Sequence, residues 1–223
     1  MSLLANLRLN KKKKNSFYKD EVELHLVRFL CSSKSTSIDV GSNKGNYTLE
    51  MSKYSKNVIS IEPNTRYNKY LKRMPKNCEI MNKAVSTLKE NIYLHVPIKN
   101  NRRKYNEAFT SQNKNEPNSA FVSKVDPIRL DNFIDQNISM IKIDVEGNEM
   151  NVLNSGIKLI EKHRPNFIIE SLSKNEFKNQ LNFFKEKNYI ALKLLNNELH
   201  FVYDETIFDK CNQYDRNTIF ISS

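Results

Sequence analysis

Ser37-Ile-Asp-Val-Gly-Ser-Asn-Lys-Gly-Asn-Tyr-Thr48 contains two of the four glycines in a chain of 223 residues. In so glycine-poor a chain each glycine answers a backbone need. Ile38 and Val40 flank Asp39 in a short apolar strand that breaks at Gly41. Gly45 follows, and Tyr47 to Tyr54 then reads as a helix. A strand, a tight glycine turn and a helix start bring backbone N–H groups to one point. That geometry suits the polar end of a nucleotide-like ligand. A two-glycine loop is also an ordinary connection, so the neighbouring segments decide between the two.

Working outward, apolar runs read as strands at Val58–Ile61, Glu79–Met81, Asn91–Val96, Phe121–Val125 and Ser139–Val145. More follow at Phe167–Ile169, Tyr189–Leu195, Leu199–Tyr203 and Thr218–Ile221. Helical spacing recurs at Phe17–Leu30, Thr65–Met74, Asn148–Leu159 and Lys174–Lys187. Strand and helix alternate through the middle of the chain. This predicts an α/β fold, a doubly wound, mostly parallel sheet with helices on both faces. Residues 1–15 read as a basic flexible leader and 16–223 as one domain. Pro97 to Ser119 is rich in Asn, Lys and Arg and poor in large aliphatic residues. It reads as a mobile loop on the substrate side.

The formal charge is +11, with a pI of about 9.4 and a mean hydropathy of −0.65. Such a balance suits an anionic partner, but a lysine-rich solvated surface produces it equally well. The dense cluster Lys11–Lys14 has no interleaved aromatic ring of the kind a base-stacking platform needs. Arg102–Lys104 forms a smaller cluster. The three cysteines lie far apart with no C-x-x-C, which signals neither a disulfide framework nor a zinc site and fits a reducing compartment. No apolar run approaches the ~20 residues of a membrane span. The basic run follows a short apolar segment, the reverse of a secretory signal. The expectation is a cytoplasmic protein.

Ligands of such sheets sit beyond the carboxyl ends of the strands. Here those ends carry Asp39 and Gly41, Glu62, Asn82, and Asp144 with Glu146. Glu62 stands about 20 residues past the glycine turn, where an acid accepts hydrogen bonds from ribose hydroxyls. The loop lacks the G-x-G pair that lets a pyrophosphate approach, which disfavours NAD. S-adenosylmethionine suits it better, with Asp39 near the ammonium of its amino-acid tail.

Four segments in order, IDVGSNKGNYT (38–48), VISIEPN (58–64), IRLDNFI (128–134) and IKIDVEGNEMNVL (141–153), resemble the FkbM family of S-adenosylmethionine-dependent methyltransferases. RPNFIIE (164–170) fits the next strand of that family. The resemblance implies a seven-stranded methyltransferase fold. It implies that Asp39, Gly41, Asn43 and Gly45 hold the methionine part of the cofactor, Glu62 the ribose, and Asn82 and Ala84 the adenine. Asp144 and Glu146 would border the reaction centre. The methyl acceptor would be a hydroxyl of a sugar or polyketide-like compound. The Asn/Lys-rich insert at 97–119 departs from the family pattern.

Lys142, Asp144 and Glu146 alternate, so an extended backbone points them one way. The buried ammonium of Lys142 calls for a carboxylate partner. Asp144 or Glu146, with its pKa raised by burial and by the neighbouring acid, suits a base that takes a hydroxyl proton during methyl transfer. The plainer reading has both acids shape the loop and the helix start. Asp144, Glu146 and Glu149 would suit Mg²⁺, but no histidine accompanies them and no metal is expected. Of the four histidines only His95 stands near the insert, and a structural role suits it. No N/D-P-P-Y/F/W and no Pro-Cys occurs, which counts against a nucleic-acid base as acceptor. The expected partner is therefore a small-molecule or glycan acceptor. An RNA hydroxyl is the second choice, and a non-catalytic binding domain the third. Nothing in the sequence indicates an oligomeric state.

Overall fold

The computed structural model describes residues 22–90, 92–196, 198–212 and 215–222. The basic leader at 1–15 and the start of the helix expected at 17–30 lie outside the described residues.

Eight strands form the main sheet. They are β1 (Thr36–Val40), β2 (Asn57–Ile61), β3 (Cys78–Met81), β10 (Ile138–Ile143), β11 (Asn166–Glu170), β12 (Tyr189–Leu195), β13 (Glu198–Val202) and β14 (Asn217–Ser222). The order is β13-β12-β14-β11-β10-β1-β2-β3. The run from β3 to β11 is parallel, while β14 enters antiparallel between β11 and β12. The expected doubly wound, mostly parallel α/β sheet is therefore present. It carries one strand more than seven, because β13 folds back on β12 as a hairpin.

Between β3 and β10 the chain builds smaller sheets. There β4 (Ala84–Val85) pairs with β9 (Pro127–Ile128), and β5 (Ile92–Lys99) pairs with β6 (Arg102–Arg103), β7 (Phe109–Ser111) and β8 (Ser119–Val125). The segment 97–119, read as a loop, thus holds two short strands and the 3-10 turn Tyr105–Glu107. Its polar composition misleads because β5 supplies the apolar face. Ile92 and Leu94 pack with Ala84 and Val125 in a core of their own.

The central strands are buried on both faces. Ile38 and Val40 of β1, and Ile141 and Ile143 of β10, join one core with α4 (Glu149–Asn154) and α5 (Ile157–His163). Met140, Val58 and Ile168 join another with α1 (Val27–Leu30) and α2 (Asn46–Met51). Helices on both faces follow from strands that are apolar on both sides.

The helices are shorter than their periodicity suggests. The stretch read as a helix at 65–74 is a 3-10 turn leading into α3 (Asn68–Leu71). The helix expected at 148–159 splits at Ser155-Gly156. There Ser155 Oγ accepts the Leu130 N–H at 3.1 Å and donates to Val152 O at 2.7 Å. α6 (Lys174–Lys185) begins with a reciprocal cap between Ser173 and Glu176. No helix among the described residues is long and apolar enough to cross a membrane.

Phe184 of α6 is the keystone of the β11–β14 half. Its ring stacks on Phe220 at 4.0 Å and meets Phe167 at 4.9 Å and Tyr189 at 5.1 Å. Phe184→Ala is expected to cost about 3–5 kcal/mol. Urea unfolding followed by circular dichroism checks this, and a loss below about 1 kcal/mol would show that the ring cluster is not a packed unit.

Candidate active site

Two glycine-dependent contacts set the loop after β1. Gly41 has φ +77°, and a Cβ there would stand 1.8 Å from the carbonyl oxygen of Asp144. The β1 and β10 ends are thus pressed together at a spot only glycine fits. The Gly41 N–H donates to Ile61 O at 2.9 Å, and the Asp144 N–H donates to Val40 O at 3.0 Å. Three strand ends are stitched into one surface.

Gly45 caps α2 at φ +85°. A Cβ there would meet Met74 at 2.5 Å and Leu71 at 2.9 Å. It sits on the packed side of the loop and lines neither cavity described below.

Glu62 closes this surface. Its Oε2 accepts the Asn43 N–H at 2.8 Å and its Oε1 accepts the Asn64 N–H at 2.7 Å. The residue is 6% exposed. Burial pushes its pKa up to about 7, against the opposing pull of the two N–H bonds, with Asp39 and Asp144 adding repulsion. Glu62 and the glycine loop therefore face one cleft. That cleft is lined by Gly41, Asn43, Glu62, Ala84, Asp144 and Glu146, all expected from sequence, and by Pro63, Tyr67 and Lys83. Leu94, Tyr105, Asn106 and Thr110 of the small sheet supply its other wall.

Asp39 lies beneath the loop at 1% exposure. Its Oδ2 accepts the Thr48 hydroxyl at 2.6 Å, and Thr48, Ser60 and Ser42 continue the chain of hydroxyls. Burial raises Asp39 to about 6, while the Thr48 bond and the Lys142 charge pull it down. A second cavity joins Asp39, Lys142 and Tyr47 to Gly41, Asn43 and Asp144. Asn82 stands outside the lining of the first cleft. It is exposed, pairs with the Asn68 amide and donates to Glu62 O at 3.0 Å. It fixes the Glu62 backbone, and Lys83 and Ala84 line the cleft beside it.

At the β10 end, Lys142 is 1% exposed and its Nζ is 3.4 Å from Asp144 Oδ2, the pairing its burial demands. β10 ends at Ile143, so the alternation through Glu146 is not that of a strand. Glu146 instead arrives by a left-handed turn, φ +55°.

The third carboxylate beside Asp144 and Glu146 is Glu170, the last residue of β11; oxygens of all three lie within 4.8 Å of one another. Burial and the Asp144 charge drive Glu146 up to about 7, and the same causes drive Glu170 well above the carboxylate range. Arg216 Nη1 approaches Glu170 Oε1 at 3.9 Å. Glu149 stands apart from this trio. Its Oε1 accepts the Val145 and Gly147 N–H groups at 3.2 and 3.1 Å, which holds the loop. Glu170 carries the same signature as Glu62, an acid ending an apolar strand, and that signal could have found it. His95 is buried in the small sheet, bonded to Ser119 Oγ at 3.0 Å and stacked on Phe109.

A parallel sheet with an antiparallel terminal strand inserted beside β11, and an acid-lined cleft at its carboxyl edge, defines a Rossmann-like methyltransferase fold. The model for the methyltransferase FkbM domain matches residues 39–191, and the chain belongs to that family. No curated protein matches it in sequence. Among solved structures, the methyltransferase FkbM from Methylobacillus flagellatus KT shares 14% identity at a TM-score of 0.55. That alignment covers 85% of this chain and 44% of the other, so the chain spans under half the length of that relative. SMU.1697c, a putative methyltransferase from Streptococcus mutans in complex with SAH, shares 12% identity at a TM-score of 0.52. Here the alignment covers 89% of this chain and 93% of the other.

Glu62 makes a pH signature. Its folded value of about 7 lies above the ordinary 4.5, so the protonated form favours folding below pH 4.5. That contribution is lost as pH rises through 7. Glu62→Gln is expected to be less stable than the parent protein at pH 5 and to close or reverse the gap by pH 8. Urea midpoints at the two pH values check this; a gap that stays constant would refute the buried-acid account.

Proposed function

We propose that this protein is an S-adenosylmethionine-dependent methyltransferase that methylates a hydroxyl of a sugar, glycan or other small metabolite. The observation that carries the reading is the shared cleft of Gly41, Asn43 and Glu62. The likeness to SMU.1697c, which was crystallised with SAH, adds support at the level of fold.

The residues present fit this cofactor. Buried acids at two strand ends, Asp39 and Glu62, match a cationic amino-acid tail and a ribose diol separated by a sulfonium. Lys83, Ala84 and Tyr67 flank the Glu62 side, where the adenine belongs. When bound, the cofactor supplies an electrophilic methyl group and leaves as a neutral thioether.

The chain contributes alignment and proton removal. Asp144 and Glu146 border the cleft at the end where an acceptor hydroxyl would enter. There they would orient the acceptor hydroxyl, whose proton would pass to a carboxylate of this pair. A carboxyl near 7, as Glu146 is, accepts that proton at neutral pH and still exists as carboxylate beforehand. Lys142 holds Asp144 in place from below. Glu170, its carboxylate oxygen within 4.8 Å of both acids, acts as a positioning residue. The three cysteines are unbridged, and we place the enzyme in a reducing compartment such as the cytoplasm.

Isothermal calorimetry with S-adenosylmethionine and S-adenosylhomocysteine tests the cofactor. Both should bind, and Glu62→Ala should weaken binding about 10–100-fold, the worth of a charged hydrogen-bonding partner. No measurable heat with either ligand would overturn the reading.

Once an acceptor is found, Glu146→Gln should slow methyl transfer about 10²–10⁴-fold with little change in S-adenosylhomocysteine affinity. Glu170→Gln should move the acid limb of the pH–rate profile downward. An unchanged limb would confine Glu170 to packing.

A further inference from the structure

The cleft has two electrostatic halves. Its floor is acidic, with Glu62, Asp144 and Glu146. Its mouth is basic. Tyr105, which lines the cleft, carries the Arg66 guanidinium over its ring at 4.0 Å and receives an Arg103 Nη1 hydrogen bond at 3.5 Å. Lys83 lines the same side. Arg102 and Arg103 form the exposed edge strand β6, followed at once by Lys104.

Among the described residues, Arg66, Lys83 and Arg103 belong to no ion pair, and the nearby acid Glu107 is already neutralised by Lys99. Cations held together without counter-charges repel one another. Such a group is stabilised by an anion of matching charge.

We propose that the methyl acceptor is a phosphate-bearing sugar, held at the mouth by Arg66, Lys83 and Arg103 with its free hydroxyl turned down to Glu146. This rests on the methyltransferase reading above and adds the acceptor class to it. Phosphate fits better than a single carboxylate because three cations exceed what one negative charge requires. Guanidinium groups also grip phosphate oxygens in pairs. The Arg66–Tyr105 stack gives the sugar or an attached base a flat surface to lie on. The chemistry is shared by two sources, a nucleotide-linked sugar and a single-stranded RNA backbone, and the test separates them.

A rival basic patch provides the control. Lys34, Lys56 and Lys76 line a cavity at the opposite, amino-terminal ends of β1, β2 and β3. The full-length protein, with S-adenosylhomocysteine present, is titrated with fluorescein-labelled twelve-residue oligouridine by anisotropy, and with UDP-glucose and neutral maltotriose by calorimetry. One or both anionic probes should bind, and maltotriose should not.

Arg66→Glu/Arg103→Glu should weaken the bound probe at least tenfold, and should lower the salt slope for oligouridine by about one. Lys34→Glu/Lys56→Glu should change affinity less than twofold. If the double variant does not fold, as judged by its melting curve, Arg103→Glu alone should weaken binding about threefold. Preference for UDP-glucose identifies a nucleotide-linked sugar; preference for oligouridine identifies RNA.

Binding of neither anionic probe, or loss of binding only on reversal at the lysine cavity, overturns the proposal. Anion binding at the mouth by a protein with no affinity for S-adenosylhomocysteine would support the phosphate site while overturning the cofactor reading beneath it.

Discussion

The site depends on a carboxylate that takes two backbone N–H groups from different segments. Glu62 reaches back to Asn43 in the loop after β1 and forward to Asn64 at the start of the next turn. A buried acid costs free energy unless its oxygens are bonded, and here both oxygens have N–H donors. The two donors hold it in place. The loop after β1 is thereby tied to the end of β2, and Gly41 ties the same loop to β10 through the close approach to Asp144 O. Three neighbouring strand ends become one rigid edge, and a cleft with fixed walls follows from that rigidity.

The same edge gathers four buried or half-buried acids. Asp39, Glu62, Glu146 and Glu170 are all raised by desolvation, and Lys142 is the cation buried closest to them. Excess negative charge at one end of a sheet is a stability cost that a cationic ligand would relieve. A sulfonium that also carries an ammonium is such a ligand. Strand ends bordering a cleft are where strained electrostatics of this kind belongs.

The small sheet inserted after β3 changes the picture of the segment 97–119. Its apolar core of Ile92, Leu94, Ala84 and Val125 gives the polar segment 97–119 something to fold on. Tyr105, Asn106 and Thr110 reach the cleft from that scaffold. This wall of the cleft is thus built on strands and a short turn.

Much of this was readable from local pattern. Apolar runs ending in Asp, Glu or Gly mark parallel strands whose tips carry function, because a buried strand has no other use for a terminal acid. IDVGSNKG, VISIE and KIDVEG each announced a strand, a turn and a polar tip, and all three meet in one cleft. The chain could not by itself show which tips touch. Asn82 sits at such a tip yet clamps a backbone, Gly45 serves helix packing, and Glu170 turns out to complete the carboxylate trio. Those roles depend on strand order, β11 beside β10 and β3 beside β2, and on side-chain direction at each tip. Pairing across a sheet is a long-range choice made by the packed core as a whole, whereas a strand and its turn are chosen by residues a few positions apart.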